Sequence, residues 1–241
     1  MTRPAYFFLS ITFSFLICQN VHSQHEFLIG DALPDAPELA HRGTYGVGVK
    51  TIELVHKNQL NVLSIKDGKG EQYDRPITIE VWYPANIPEN VEQLETYTQV
   101  LGKNATEGRP VVPFTFQGRA VRDAVIVNDK GKFPLVILSH GYVGSRFLFT
   151  YLSENLASKG YVVVSIDHTD STYRDAANFT STLVNRPLDQ LFVLNEIERL
   201  SANASDSFLA NLVDTSNTGL VGYSMCGYGG LFTCGAGYSK A

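Results

Sequence analysis

The sequence predicts an α/β fold in which a mostly parallel sheet follows antiparallel N-terminal strands. The first observation is that Gly46–Val55 and Ile77–Tyr83 alternate between apolar and polar residues, as half-buried strands do. The second is that Leu135–Ser139 and Tyr161–Asp167 are almost continuous apolar runs, the pattern of strands that are covered on both faces. The third is a helical pattern between those two runs, which makes a βαβ unit and therefore a parallel pair.

Length and composition predict one globular domain. The chain has 241 residues, of which 44% are hydrophobic and 18% are charged, an ordinary composition for a protein with one large core. The net charge of −5 leaves no basic stripe for nucleic acid. We therefore expect no nucleic-acid partner.

The N-terminus has the pattern of a secretory signal peptide. A positive charge precedes an uncharged apolar run, Ala5–Cys18, that is too short to span a bilayer. Val21 and Ser23 occupy the positions that a signal peptidase reads before a cut after Ser23. We expect residues 1–23 to be removed, residues 24–241 to form the folded domain, and the protein to be secreted to the extracellular space or the periplasm. A signal anchor is the alternative.

Covalent modification is predicted at a few positions of the secreted chain. Asn104, Asn178 and Asn203 begin N-x-S/T sequons and would carry glycans in a host that glycosylates its secreted proteins. The remaining cysteines, Cys226 and Cys234, fall on one predicted helix about 12 Å apart, beyond the reach of a disulfide. We expect both to be buried thiols that act as small hydrophobic residues.

A long connection is predicted between the antiparallel strands and the parallel ones. The second antiparallel strand should stop at Pro84, because proline cannot donate to a ladder. Residues 86–132 lack a sustained period, although Leu94–Leu101 fits a short helix and Ala124–Val127 a short strand. Such a connection is usually functional or mobile, so we expect an excursion near the site entrance. A plain surface insertion is the alternative.

Helices are predicted after each of the buried strands. The first should begin at about Ser145 and have Lys159 in its last turn, with Gly160 as its C-terminal stop. After a polar loop over 168–185, proline should open a second helix over Pro187–Leu200. A short helix over Ser207–Val213 would return the chain to the sheet. The buried stripe of the second helix would consist of Leu188, Leu191, Leu194 and Ile197.

A serine lies at a predicted sharp turn between a strand and a helix. Thr218–Gly222 suits a buried strand, and a Gly-rich apolar segment after Ser224 is long enough for a helix. Such a nucleophile elbow needs small neighbours, of which Gly222 is one, and it lifts the hydroxyl above the sheet edge. The G-x-S-x-G pattern is imperfect, because Cys226 takes the second glycine position and Gly227 follows it. A serine in an ordinary Gly-rich turn is the alternative.

The order of these elements is that of an α/β hydrolase, and several segments carry a family resemblance. The segments are Ile79–Pro84, Phe133–Tyr142, Asn155–His168 and Gly222–Met225. They resemble the platelet-activating factor acetylhydrolase and predicted dienelactone-hydrolase-like group of esterases. The resemblance runs from about Gly46 to the end of the chain.

The resemblance implies a serine esterase that acts through an acyl-enzyme. Ser224 would be the nucleophile, and the backbone N–H groups of Met225 and Tyr142 would form the oxyanion hole. The substrate would be a short-chain or phospholipid-derived acyl ester; dienelactone, polyester and peptide bonds are alternatives. No cofactor or metal would be needed. Because Cys226 departs from the family pattern, a role as a second nucleophile is a further alternative.

The catalytic acid and base are the parts that the sequence does not supply in the usual place. In this fold they follow the nucleophile, but neither an acid nor a histidine occurs after Ser224. His140 is expected to be structural and His168 to bond locally in its loop, with catalytic roles for His168, Asp167 or Asp170 as alternatives. We expect the chain to be the N-terminal portion of a hydrolase domain whose C-terminal part is missing, with its last strand at the sheet edge. A non-catalytic binding domain is the alternative function.

Overall fold

The computed structural model describes residues 27–101, 112–128, 131–176, 179–202 and 207–237. The predicted signal peptide, the sequons at Asn104, Asn178 and Asn203, and residues 238–241 lie outside the described residues.

Within those ranges the chain forms nine strands, three α-helices and two single-turn 3₁₀ helices, Glu38–Ala40 and Val62–Ser64. The strands are β1 (Gly46–Leu60), β2 (Gln72–Asn86), β3 (Glu95–Leu101), β4 (Val112–Gly118), β5 (Val121–Arg122), β6 (Val125–Ile126), β7 (Phe133–Ser139), β8 (Val162–Asp167) and β9 (Val213–Gly222). The helices are α1 (Thr150–Ser158), α2 (Phe179–Ala202) and α3 (Met225–Thr233). None of these helices is long and apolar enough to cross a membrane.

The main sheet is mixed and has the α/β-hydrolase arrangement that the sequence predicts. Its order is β5-β1-β2-β8-β7-β9, with β6 added beside β2. The antiparallel strands β1 and β2 lie on one side, and β8, β7 and β9 run parallel on the other. Strand β9 forms the edge of the described sheet. The C-terminal ends of β7 and β9 are therefore neighbours, and Ser139 pairs with Gly222 there.

Both faces of this sheet are buried along β7 and β8, because their apolar runs direct successive side chains to opposite faces. The prediction of a buried strand over Thr218–Gly222 is wrong, because this part of β9 lies at the edge of the described sheet and is exposed or half-buried. Helix α2 covers one face, where Val193 and Ile197 join the larger core cluster. Helix α1 covers the other, where Ala157 joins the second cluster. The sheet residues of the two clusters alternate along the strands: Leu135, Ile137, Val162 and Val164 face α2, and Val136, Leu138 and Val163 face α1.

The predictions for the first connection are partly wrong. Strand β2 continues past Pro84 to Asn86, because the Pro84 carbonyl still accepts the Val127 N–H at 3.0 Å. Leu94–Leu101 does not form a helix. It contains β3, which pairs with β4 in a separate two-stranded sheet. Tyr97 of β3 is buried and its hydroxyl bonds to Trp82 and Glu154, so tertiary contacts select the strand.

Helix α2 differs most from its prediction. It begins at Phe179, eight positions before Pro187, so the proline lies inside the helix instead of opening it. Its buried face is rotated from the predicted leucine stripe. Leu188 and Leu191 are 42% and 41% exposed, whereas Arg186, Asp189 and Gln190 are buried with Val193 and Ile197. Polar partners on β2, on β7 and in the segment after β8 stabilise this orientation.

Two other helix predictions are also corrected. Helix α1 begins at Thr150 instead of Ser145, because the buried residues Ser145 and Phe147 form turns before it. It ends as predicted before Gly160, whose φ is +94°. No helix forms over Ser207–Val213. Those residues make turns, and β9 starts at Val213.

Candidate active site

Ser224 lies in the turn between β9 and α3, as the sequence predicts. It is the N-cap residue of α3, with φ 53° and ψ −117°, and its side chain is exposed. A non-glycine residue in this sparsely populated region costs about 1–3 kcal/mol of backbone strain. The strand–turn–helix therefore holds a hydroxyl at the sheet edge in a strained conformation. The role of that hydroxyl as a nucleophile stays a prediction.

Gly222 is required by the tightness of the turn. A Cβ on Gly222 would lie 2.1 Å from the carbonyl oxygen of Cys226 and 2.7 Å from the nitrogen of Gly227, and both of these are backbone atoms. A Cβ on Gly227, by contrast, would meet its nearest atom at 3.4 Å. Gly222, the first glycine of the motif, is therefore a steric necessity, whereas Gly227, one position beyond the motif, is not.

Cys226 fits in the turn because its side chain points beneath it. The residue is fully buried, and its thiol donates a hydrogen bond to the carbonyl of His140. Burial raises the pKa of the Cys226 thiol. A protonated thiol that solvent cannot reach is not a nucleophile, so the alternative role of Cys226 is wrong. Cys234 is exposed, contrary to the expectation that both cysteines are buried.

The segment that follows β7, His140–Gly144, is here called the oxyanion loop after its predicted role, and it lies directly beside the elbow. The N–H of Tyr223 donates to the carbonyl of Ser139 at 3.0 Å. A Cβ on Gly141 would lie 3.2 Å from the Cβ of Ser224, so glycine permits this close approach. The structure thus brings together Ser224 and the loop that contains Tyr142.

The predicted oxyanion donors belong to the two chain segments that meet at this point. The Met225 N–H, in the first turn of α3, has no acceptor among the described residues. Tyr142 packs its ring edge-to-face against Phe179 of α2, with the centroids 5.1 Å apart. The assignment of both N–H groups to an oxyanion hole remains a prediction.

His140 is a neutral structural residue beneath the loop. Its Nδ1 bonds to the Gly141 carbonyl at 2.7 Å, and its Nε2 accepts the His168 N–H at 3.3 Å. Since Nδ1 donates a hydrogen bond and Nε2 accepts one, the ring is the neutral tautomer that carries its proton on Nδ1. Burial, and then the nearby charge of Arg186, lowers the pKa of His140 well below its usual range.

A buried chain of polar groups, Ser139, His168, Asp189 and Arg75, runs beneath the oxyanion loop and is here called the buried relay. His168 Nε2 lies 2.6 Å from the hydroxyl of Ser139, and His168 Nδ1 lies 2.9 Å from Asp189. Arg75 donates to both oxygens of Asp189, at 2.8 and 3.0 Å. The expectation that His168 bonds only within its own loop is wrong, because its partners come from β7 and α2.

The buried relay has the connectivity of a Ser-His-Asp triad but cannot act as one. Ser139 and Asp189 are 0% exposed and His168 is 1% exposed, so no ester can reach the serine. Burial, and then the charge of Arg186, lowers the pKa of His168 to about 3, far from the range of an effective base at neutral pH. Burial alone would raise the pKa of Asp189, but the hydrogen bond from His168 and the charge and hydrogen bonds of Arg75 outweigh it and lower that pKa. The relay is therefore a structural network.

The acids considered as alternatives are engaged elsewhere. Asp167 forms an ion pair with Arg146 at the end of β8. Asp170 accepts from Arg75 at 2.8 Å and from Ser181 at 2.9 Å. Within the described residues, neither carboxylate bonds to a residue of the elbow.

Several residues around the site were missed by sequence reasoning. Asp189, Gln190 and Arg186 lie three and four positions apart on α2 and therefore share one face of the helix. That spacing is the available signal, but the leucine stripe beside it is the more apolar face and predicts the wrong orientation. Gln190 donates to the Ser139 hydroxyl at 3.0 Å, which completes the hydrogen bonds of that serine.

An apolar cavity of about 270 Å³ lies between strands β3 and β4 and the start of α1. Its walls include Phe114, Phe116, Phe147, Leu148 and Tyr151. The ring of Phe149 contacts both a wall of this cavity and a residue next to Ser224, since it lies 6.4 Å from the Tyr151 ring and 5.7 Å from the Tyr223 ring. In the part of the chain that the structure describes, no group of His, Cys, Asp and Glu side chains is placed to hold a metal ion.

Comparison with known proteins agrees with this architecture. A family model described as platelet-activating factor acetylhydrolase, isoform II, matches residues 38–199. A protein of Schizosaccharomyces pombe (strain 972 / ATCC 24843) named "Putative phospholipase A2" is 44% identical over 52 residues, which are 20% of this chain and 12% of that protein. The structure of a ferulic acid esterase from Streptomyces cinnamoneus superposes with a TM-score of 0.54 at 23% identity, covering 79% of this chain. The chain spans about half, 55%, of that esterase, and the likeness concerns the fold.

Proposed function

The chain belongs to the platelet-activating factor acetylhydrolase isoform II family, and from this premise we propose that it is a secreted serine carboxylic-ester hydrolase with Ser224 as its nucleophile. The observation that carries the proposal is the exposed Ser224 hydroxyl at a strained turn, beside the oxyanion loop and the start of α3. A nucleophile elbow with these properties is the usual serine site of α/β hydrolases.

The reaction follows from this arrangement. The Ser224 oxygen attacks the carbonyl carbon of the ester while the general base takes its proton, and the π electrons of the C=O bond move to the carbonyl oxygen, which becomes an oxyanion. The N–H groups of Met225 and Tyr142 receive that charge, and one such donor typically contributes about 2.7–4 kcal/mol to the transition state. The C–O bond then breaks, the alcohol leaves with a proton from the base, and water hydrolyses the acyl-enzyme.

The general base and its carboxylate are proposed to lie outside the 241 residues of this sequence. The two histidines beneath the elbow are buried, and both have depressed pKa values. The position of β9 at the edge of the described sheet supports the proposal, as does the partial coverage of the ferulic acid esterase fold. Peptides from the native protein should extend beyond Ala241 and include an acid followed by a histidine.

The substrate is proposed to be a short-chain or phospholipid-derived acyl ester. The cavity beside α1 is lined by aromatic and aliphatic side chains and is slightly smaller than typical drug-sized sites of about 300–1,000 Å³. An acyl group of modest size suits such a cavity. Secretion is proposed from the N-terminal pattern, and sequencing of the extracellular or periplasmic protein should begin at Gln24.

The test uses the protein expressed from its complete reading frame. Ser224→Ala is compared with Ser216→Ala, a second exposed serine that lies within β9. With p-nitrophenyl acetate, Ser224→Ala should lower kcat by at least about 1,000-fold, and a fluorophosphonate adduct should map to Ser224. Ser216→Ala should stay within twofold of the wild type. Full activity in Ser224→Ala would refute the mechanism, and absence of both hydrolysis and adduct in the wild type would favour a binding domain.

A further inference from the structure

Arg186 is a buried cation of α2 that bonds directly to the oxyanion loop. It is 1% exposed, and its Nη2 donates to the carbonyl of Gly141 at 3.0 Å. The same nitrogen donates to the hydroxyl of Ser171 at 2.6 Å. Ser171 follows β8, and its carbonyl accepts the N–H of Gly144 at 3.2 Å. Arg186 therefore connects α2 both with the oxyanion loop and with the segment that follows β8.

The remaining contacts of Arg186 are unlike those of an arginine retained for stability. Its Nε and Nη1 have no hydrogen-bond partner among the described residues, and no carboxylate there forms an ion pair with it. Burying a guanidinium with unpaired nitrogens costs free energy. Asp189, one turn away on the same helix, is instead paired with Arg75. What Arg186 provides is the pair of hydrogen bonds to Gly141 and Ser171.

The hydrogen bond to the Gly141 carbonyl matters because the Tyr142 N–H belongs to the same peptide group. The Gly141 carbonyl also bonds to His140 Nδ1 at 2.7 Å, so two buried side chains hold it from one side. The Gly141–Tyr142 peptide is not among the cis bonds of the chain, and in a planar trans peptide the C=O and N–H point in opposite directions. Holding the carbonyl therefore fixes the direction of the Tyr142 N–H.

We infer that Arg186 is a positioning residue for the oxyanion hole, which orients the Gly141–Tyr142 peptide so that the Tyr142 N–H is directed at the oxyanion of an ester bound at Ser224. This inference rests on the proposed function. Arg186 does not touch the ester. It acts through the peptide that does, so it should affect the transition state more than substrate binding.

The experiment measures kcat and KM separately for Arg186→Met and Arg186→Lys in the protein from the complete reading frame. Arg186→Met should lower kcat by about 10- to 100-fold, less than the loss of a whole oxyanion donor, with KM within about twofold. Arg186→Lys keeps one cationic donor and should recover most of that loss. The affinity for a trifluoromethyl ketone, which forms a tetrahedral adduct with serine, should fall in parallel with kcat/KM.

Ser171→Ala is the matched control, because it removes the other acceptor of Arg186 Nη2 and leaves the Gly141 bond. Its kcat should stay within about threefold of the wild type. If circular dichroism finds Arg186→Met unfolded, Arg186→Gln replaces it, with the same expected loss. If folded Arg186→Met or Arg186→Gln keeps the wild-type kcat and ketone affinity, the inference is overturned. A variant in which KM rises while kcat stays unchanged would overturn it as well. Full activity in Ser224→Ala would instead overturn the proposed function, so the two failures are distinguishable.

Discussion

Replacing Ser224 by glycine should make the protein more stable while abolishing the proposed activity. At φ 53° and ψ −117° the serine carries about 1–3 kcal/mol of backbone strain, which glycine does not pay. Glycine loses about 0.5–1 kcal/mol through the greater freedom of the unfolded chain. The net gain is about 1 kcal/mol in the free energy of unfolding, or about 3 °C in Tm for a chain of this length. Ser224→Ala keeps the strain and should lack this gain.

The assay is urea and thermal unfolding of Ser224→Gly, Ser224→Ala and Ser216→Gly, followed by circular dichroism. Ser216 is an exposed β9 residue that is not among the positive-φ residues, so glycine there should cost about 0.5–1 kcal/mol. The strain argument requires the glycine substitutions at 224 and 216 to change stability in opposite directions. If Ser224→Gly is no more stable than Ser224→Ala, the turn is not strained and the reasoning fails.

Two further predictions follow from the same region. Gly222→Ala should destabilise the protein by at least about 3 kcal/mol and abolish fluorophosphonate labelling of Ser224, because its Cβ would meet backbone atoms. Gly227→Ala is the control and should be tolerated, because that position of α3 has room for a Cβ. Equal effects of the two substitutions on labelling and on urea unfolding would contradict the steric argument. Since burial lowers the folded-state pKa of His168 to about 3 and that of His140 well below its usual range, their contribution to stability is complete above about pH 6.5 and is lost as the pH falls towards 3. His168 should cost about 2 kcal/mol between pH 7 and pH 5, and His140 should add a loss of the same sign. A urea midpoint that does not change over this range would be the contrary result.

The parts of the fold that the sequence predicted are those that local patterns determine. The continuous apolar runs of β7 and β8 predict a sheet that is covered on both faces, because successive side chains of a strand point to opposite sides. The turn at Ser224 needs Gly222 as its neighbour, and Gly160 ends α1 because glycine accepts a positive φ. Each of these signals is contained within a few residues, so no knowledge of distant partners is required.

The parts that could not be predicted depend on partners far away in the sequence. Strand β3 exists because Tyr97 is buried between β2 and α1, and its own sequence fits a helix as well. The orientation of α2 depends on Asp189 meeting His168 and Arg75, whose pairing outweighs the alternative stripe of leucines. A helical wheel weighs hydrophobicity alone and therefore selects the wrong face.

The buried relay also constrains the order of events in folding. The pair between Arg75 and Asp189 joins residues 114 positions apart, and the bond between Ser139 and His168 joins residues 29 apart. The entropic cost of closing a loop grows with its length, so contacts of such high separation form late and slow the folding of domains that depend on them. Because this network supports the oxyanion loop from beneath, the loop can take its final shape only after the antiparallel and parallel halves of the sheet have met. Refolding measured at the site should therefore coincide with refolding of the whole domain, with no earlier phase of its own.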